Sequence, residues 1–314
     1  MTTTPTTPTR KAAASGPGSP GPGPPGPGSP GSGSLGPGLS VAGLQIDIVW
    51  EDPAATTAAI APRIAAAVAA GARLIVLPEM FATGFSMRAE ALAAHHDAIA
   101  AFCTTAARSH GVWLLAGIVE PSPRGRPRNA AVLFGPDGAE VGRYHKVHPF
   151  TFGGEDAHYD GGAALPTFEI EGVRVTPLVC YDLRFVELFR LAAADTDLFC
   201  VIANWPEARA AHWQALLLAR AIECQAYVLG VNRVGEGGGL RYRGDSALYG
   251  PFGEQLAAAA YLPATVAGIV DAANVADLRT KTSFLRDRRL DVYAAIAAAR
   301  TGRSARERRE RRWS

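Results

Sequence analysis

The chain has 314 residues, 48% of them hydrophobic and 19% charged, ordinary proportions for a globular protein large enough to bury a substantial core. No apolar run approaches the roughly 18–20 residues that cross a bilayer and the N-terminus lacks the apolar core of a signal peptide, so the expectation is a cytoplasmic protein with no membrane partner. The net charge of +2 is uneven: the first forty residues carry two cations, and residues 303–314 carry six Arg against two Glu, which by subtraction leaves about −4 for the body, a balance that suggests no nucleic-acid groove.

From Met1 to Leu39 the chain is Thr, Ser, Gly and Pro, as in GPGSPGPGPPGPGSPGSGS, with too little apolar surface to offset chain entropy, so residues 1–39 are expected to be a disordered leader. Glycine does not recur at every third position, which argues against a collagen-like helix. The composition changes at Val41, where VAGLQIDIVW alternates like a strand, and Asp52-Pro53 then gives an N-cap and a first-turn proline for a helix to about Ala70. RLIVLP (73–78) reads as a short buried strand. One helix is expected over 88–110, ending at Gly111, followed by strands at 112–119 and 129–134.

GPDG (135–138) is a turn into EVGRYHK, which delivers Lys146 at its end. Residues 147–162 read as a polar loop. LPTFEI-EG-VRVTPLV reads as a hairpin leading into Cys180, FVELFRLAAA as a helix, and LFCVIANW (198–205) as a buried strand. A helix over about 208–226, strands at 227–232 and around 246–249 and 265–270, and a basic tail over 303–314, a solvated helix end or disordered, complete the chain. The domain is expected over 40–302. Helices alternating with apolar strands imply an α/β layered domain, with either one mixed sheet or two sheets packed together.

The cysteines Cys103, Cys180, Cys200 and Cys224 form no CxxC pair, so neither a disulfide framework nor a zinc site is suggested and the thiols should be reduced. Cys180 stands where a strand stops and a helix begins, a place that can expose a nucleophile, although an isolated cysteine is more often buried and inert. Seven histidines are present, none in a protease-like signature. A different base is available in Glu79 of IVLPEMF, just after a buried strand, where desolvation suits a carboxylate to take up and return a proton. Lys146 also follows a strand, and an ammonium there favours a thiolate and the oxygen of a tetrahedral intermediate. Standing alone, each of the three has an ordinary structural reading.

The segments LPEMFATGF, YHKVHPFTFGGEDAHYDGG and PLVCYDLRF resemble, in order, the three catalytic blocks of the nitrilase superfamily of carbon–nitrogen hydrolases. The resemblance extends through ANWPEARAAHWQALLLARAIECQAYVLGVNRVG and YRGDS, and these last blocks look most like the bacterial omega-amidase branch. It implies an α/β fold, a four-layer α-β-β-α sandwich, in a homodimer or higher homo-oligomer, with no metal and no organic cofactor. It implies a catalytic Glu79, Lys146 and Cys180, with Glu155 orienting the lysine and the Tyr181 backbone N–H helping to hold an oxyanion. The activity implied is hydrolysis of the terminal amide of short α-keto acid amides, 2-oxoglutaramate and 2-oxosuccinamate, to the acid and ammonia through a cysteine thioester.

Arg184 matches the arginine of the CYDxRF pattern and is a candidate for binding the substrate carboxylate, with an ion pair to Asp182 or Glu187 as the alternative. Asp182 is expected to make a structural bond. Phe85, Asn204 and Trp205 are candidates for the pocket wall, although Trp205 and Trp213 could equally be core aromatics. The same blocks are compatible with a deaminated-glutathione amidase, an N-carbamoyl amino acid hydrolase, or a non-catalytic interaction protein that keeps the fold. CYD rather than CWE after the strand favours amides over nitriles.

Overall fold

The computed structural model describes Met1 and residues 38–123, 125–282 and 284–310, with side chains through residue 300. In chain order the strands are β1 (Leu39–Gln45), β2 (Leu74–Val76), β3 (Trp113–Glu120), β4 (Arg128–Phe134), β5 (Glu140–His145), β6 (Phe168–Ile170), β7 (Val173–Val179), β8 (Leu198–Ala203), β9 (Tyr227–Asn232), β10 (Val234–Gly237), β11 (Leu240–Tyr249), β12 (Gln255–Ala260) and β13 (Ala264–Val270). The helices are α1 (Pro53–Ala69), α2 (Ala89–Ala93), α3 (His96–His110), α4 (Glu155–His158), α5 (Val186–Ala192), α6 (Ala210–Cys224), α7 (Ala272–Lys281) and α8 (Leu290–Glu310).

Two sheets result, one ordered β13-β1-β2-β3-β4-β5 and the other β10-β11-β9-β8-β7-β6 with β12 added beside β11. The pairs β1–β2 and β2–β3 are parallel, as are β7–β8 and β8–β9, so each sheet has a parallel centre flanked by antiparallel strands. Alternation along the strands sorts side chains to two faces. From the first sheet Val41, Leu74, Val76, Leu115 and Leu133 join a core with Leu178, Val201 and Leu229 of the second, and that core continues to Phe189 of α5 and Trp213 and Leu217 of α6. The opposite face of the first sheet, with Leu44, Ile75, Leu114 and Val132, packs on Ile60 and Ile64 of α1 and Ile99 and Cys103 of α3. The layers are therefore α-β-β-α.

The proposed helix start at Asp52 is made as capping rules require: its carboxylate accepts from Ala55 N at 2.9 Å, ahead of Pro53. The helix expected over 88–110 is two, because Leu92 and Ala93 of α2 pack with Met80, Val119 and Tyr159 while α3 turns its apolar face to the sheet. The two faces demand different axes, and the chain breaks at Ala94–His95. Its end at Gly111 has the left-handed backbone, φ 62°, that favours glycine there. The 147–162 loop contains α4 and a single 3₁₀ turn, Thr151–Gly153.

Strand β12 was not expected from QLAAAA, since alanine is a poor strand former, yet pairing with β11 holds it extended. The capped helix α7, with Asp271 accepting from Ala273 N at 2.8 Å, and strand β10 were not expected either. Of the leader expected over 1–39, residues 2–37 lie outside the described residues, and Leu39 already belongs to β1. The boundary expected at 302 falls inside α8, and residues 311–314 of the basic tail lie outside the described residues. Among the described residues no helix is long and apolar enough to cross a membrane.

Candidate active site

Cys180, Asn204 and Glu79 all stand just past the ends of parallel strands, following β7, β8 and β2, the edge at which open α/β sheets carry their ligands. Past Val76, Leu77 N and Phe81 N donate to Leu115 O and Gly117 O of β3, which carries the pairing across Glu79. A Cβ on Gly117 would fall 2.5 Å from the Glu79 Cα, so only glycine lets the two backbones come this close. Lys146 directly follows β5, and its N–H donates to Asn129 O of β4 at 2.9 Å.

Cys180 has φ 47°, in the left-handed region that non-glycine residues avoid, and such backbone persists only where the surroundings over-determine it. Asp182 does so. Its fully buried carboxylate accepts from Val179 N (3.1 Å) and Tyr144 OH (2.7 Å) on one oxygen, and from His148 N (3.1 Å) and His148 Nδ1 (2.9 Å) on the other. The His148 ring stacks on Phe185 with centroids 3.6 Å apart. The structural bond expected of Asp182 is thus a clasp around the turn that presents the thiol, and Asp182 is not the partner of Arg184.

Beside the thiol lies a buried charge cluster. Lys146 Nζ donates to Glu79 Oε1 at 2.9 Å and to Glu155 Oε2 at 2.8 Å. Asn129 Nδ2 spans the same two acids, donating to Glu79 Oε1 at 2.7 Å and Glu155 Oε1 at 2.9 Å. The second Glu79 oxygen accepts from Asn204 N at 2.8 Å, and Asn204 Nδ2 donates to the Glu79 carbonyl. Phe150 N donates to Glu155 Oε2 at 2.6 Å. Both acids are fully inaccessible to solvent and Lys146 nearly so.

Burial works against the Lys146 charge, but Glu155, Glu79 and the Cys180 sulfur outweigh it and raise the ammonium above the ordinary lysine range. Burial also raises Glu155, helped by the Glu79 charge and opposed by Lys146. The Cys180 thiol is pushed well above its usual value, first by burial and then by Glu79, with Lys146 pulling the other way. Lys146 thus acts on the thiol in the direction expected of an ammonium, but burial and Glu79 outweigh it, which leaves work for a base.

Cys180 and Asn204 close one end of a cavity of about 180 Å³ whose lining also includes Tyr181, Arg184, Phe85 and Trp205, small beside the roughly 300–1,000 Å³ of pockets for drug-sized ligands; the cluster backs that end through Asn204 and is not itself part of the lining. Lys146 Nζ lies 5.0 Å from the Phe85 ring centre. The Arg184 guanidinium lies 4.7 Å over Trp205 and 5.9 Å from the Tyr181 ring. Among the described residues it is in no ion pair with Glu187 or any other acid, but both of its terminal nitrogens lie 3.4 Å from His212 Nδ1. Trp205 fills both roles considered for it, since its ring lines the cavity and also lies 5.5 Å from Trp213 in the core.

Asn129, which bridges the two acids, and Arg209, Phe150 and Tyr242, which line the cavity, were not expected. Arg209 stands within the quoted ANWPEARAAHW segment as the residue before α6, a signal that could have been read. Asn129 is the second residue of β4, with no local feature to mark it. Among the described residues no group of three or more His, Cys, Asp or Glu side chains is arranged to hold a metal ion.

A family model described as carbon-nitrogen hydrolase matches residues 40–280. The chain is 42% identical over 222 residues to omega-amidase YafV of Escherichia coli strain K12, covering 70% of this chain and 85% of the relative. It is 30% identical over 225 residues to a 2-oxoglutaramate amidase of Bacillus subtilis strain 168, covering 71% and 87%. Among solved structures, an amidase of the nitrilase superfamily from Nesterenkonia AN1 superposes with a TM-score of 0.76 at 26% identity, covering 85% of this chain and all of that one. A CN-hydrolase superfamily protein from Xanthomonas campestris does so with a TM-score of 0.73 at 32% identity, covering 80% and 97%. With its two-sheet sandwich and a match spanning most of its length, the chain belongs to the carbon–nitrogen hydrolase family, in the nitrilase superfamily.

Proposed function

We propose that the protein is an amidohydrolase that cleaves the terminal amide of short 2-oxo acid amides, of the 2-oxoglutaramate kind, releasing ammonia. The observation that carries the chemistry is the single ammonium of Lys146 bonded to both Glu79 and Glu155 at the end of the cavity that holds the Cys180 thiol. The substrate class is taken from the relatives' names, omega-amidase and 2-oxoglutaramate amidase, together with an Arg184 that lines a small cavity with no acid beside it and only the His212 ring as a polar partner.

In this reading Glu79, Lys146 and Cys180 form the catalytic triad. Glu79 takes the thiol proton as Sγ attacks the amide carbon; Lys146 and the Tyr181 N–H receive the developing oxyanion. Tyr181 lies in the first turn of the 3₁₀ segment Cys180–Arg184, where an N–H has no acceptor within its own helix. Asn204, whose Oδ1 is buried without a partner, offers an acceptor to the amide N–H. Glu79 then gives its proton to the leaving nitrogen; ammonia departs and a thioester remains. A water deprotonated by Glu79 attacks the thioester carbon, the carboxylic acid leaves, and the proton returns to sulfur. Glu155 and Asn129 act by holding Lys146 and Glu79 in place.

The proposal extends to a cytoplasmic homodimer. The absence of any disulfide among Cys103, Cys180, Cys200 and Cys224 fits a reducing compartment, and light scattering of the purified protein reads the dimer. The functional test is ammonia release from 2-oxoglutaramate against a simple aliphatic amide of the same length. The expected result is a kcat/KM at least about tenfold higher for the 2-oxo acid amide, the lower value of one charge-assisted contact. Equal turnover of the two ends the substrate assignment.

A further inference from the structure

The cavity carries a second guanidinium. Arg209 lines the same space as Cys180 and Arg184, with its charged group 5.4 Å over the Phe150 ring. Phe150 meets Tyr181 edge-on at 4.9 Å, and Tyr181 also lies under Arg184, so the two arginines share a continuous aromatic wall. The Arg209 carbonyl accepts from Trp205 Nε1 at 2.8 Å and its N–H donates to Pro206 O at 3.0 Å, which fixes its backbone while leaving the side chain to the cavity. Among the described residues Arg209 is in no ion pair, although Glu207 two residues away lies near Arg241.

Two partly exposed cations that face one small cavity with no acid between them make its outer part attractive to an anion. Behind the opposite end, at Cys180 and Asn204, lie two carboxylates against one ammonium. A substrate with a neutral amide at one end and a carboxylate at the other fits this field in one direction only, amide toward Glu79 and carboxylate toward the arginines. We propose that Arg209, together with Arg184, binds the substrate carboxylate, and that Arg209 thereby determines specificity for ω-amides of dicarboxylic acids over neutral amides. The planar fork of each guanidinium suits a carboxylate with an adjacent keto oxygen. This inference rests on the amidohydrolase reading above and names a specificity residue for it.

The test uses Arg209→Gln and Arg209→Lys in the full-length protein, each assayed on 2-oxoglutaramate and on butyramide. Arg209→Gln is expected to raise KM for 2-oxoglutaramate about tenfold to a hundredfold, the worth of a hydrogen bond to a charged group, with kcat changed less than threefold. Activity on butyramide, which has no carboxylate, should fall less than activity on 2-oxoglutaramate, and Arg209→Lys should recover part of the loss. An unchanged KM for 2-oxoglutaramate overturns the proposal. So does an equal loss on both amides, which would mean that the substitution acts through the Trp205 contact.

A binding measurement separates this inference from the assigned reaction: calorimetric titration of the Cys180→Ala protein, with and without Arg209→Gln, against 2-oxoglutarate. Weakening of at least tenfold by Arg209→Gln supports the carboxylate site even if wild type fails to hydrolyse 2-oxoglutaramate. Equal affinities overturn it even if hydrolysis is fast.

Discussion

The cavity has an inner end at Cys180 and Asn204, backed by a buried charge cluster, and an outer end at two arginines, and the two are built on opposite terms. At the inner end both Glu79 oxygens, both Glu155 oxygens and the Lys146 ammonium are held by hydrogen bonds from strand ends, and none meets solvent. At the outer end Arg184 and Arg209 lie over aromatic rings, partly exposed and without acid partners among the described residues. The inner end is arranged before any ligand arrives, as electrostatic catalysis requires, while the outer end keeps donors open for a ligand to complete. The first should control how fast bound substrate reacts and the second which substrate is bound.

That division can be broken most sharply at the nucleophile. Cys180→Ala should reduce ammonia release at least about 10⁴-fold while the protein stays folded, because no other group can form the thioester; circular dichroism and an ammonia assay check both halves. Glu79→Gln should lower kcat about 10²–10⁴-fold, the span of a general base, and yet speed alkylation of Cys180. Burial and the Glu79 charge both hold the thiol proton on, so removing that charge lowers the thiol's affinity for its proton and raises the thiolate fraction. In wild type, alkylation by iodoacetamide should climb without a plateau from pH 7 through 9, since the thiol titrates above its ordinary value.

Asp182→Ala tests the clasp rather than the chemistry. It strips the acceptor from Val179 N, Tyr144 OH and His148, and should cost about 2–4 kcal/mol of stability, read as a lower urea midpoint. Arg184→Gln should have the smallest effect, raising KM for 2-oxoglutaramate about tenfold to a hundredfold with little change in kcat. A loss of kcat without a change in KM would place Arg184 with the inner end and remove the division.

The same contrast explains what could be read from the sequence. Strands β8 and β9 are buried on both faces and appear as unbroken apolar runs, so their position, and the residues just beyond them, were legible. Glu79 follows such a run, whereas Cys180 and Lys146 follow the mixed strands β7 and β5 and were marked by their recognisable blocks. Asn129 was not legible, because its meaning lies in contacts with residues 50 and 26 positions away. The break between α2 and α3 was hidden for a related reason: it comes from two packing surfaces, not from a local helix stop. Strand β12 is an alanine run that only its partner β11 keeps extended. The direction of the Cys180 shift was also out of reach, since the balance of burial, Glu79 and Lys146 is a property of the assembled site.

The pairing of two acids with one lysine has a further result for the end of the cycle. Hydrolysis turns a neutral amide into an anion in the place where Glu79 and Glu155 already leave the field negative. Like charges held a few ångströms apart in a poorly solvated space repel strongly. If Glu79 is the base proposed above, the newly made carboxylate should meet a less favourable field there than the amide did, and 2-oxoglutarate should inhibit only weakly in a product-inhibition assay.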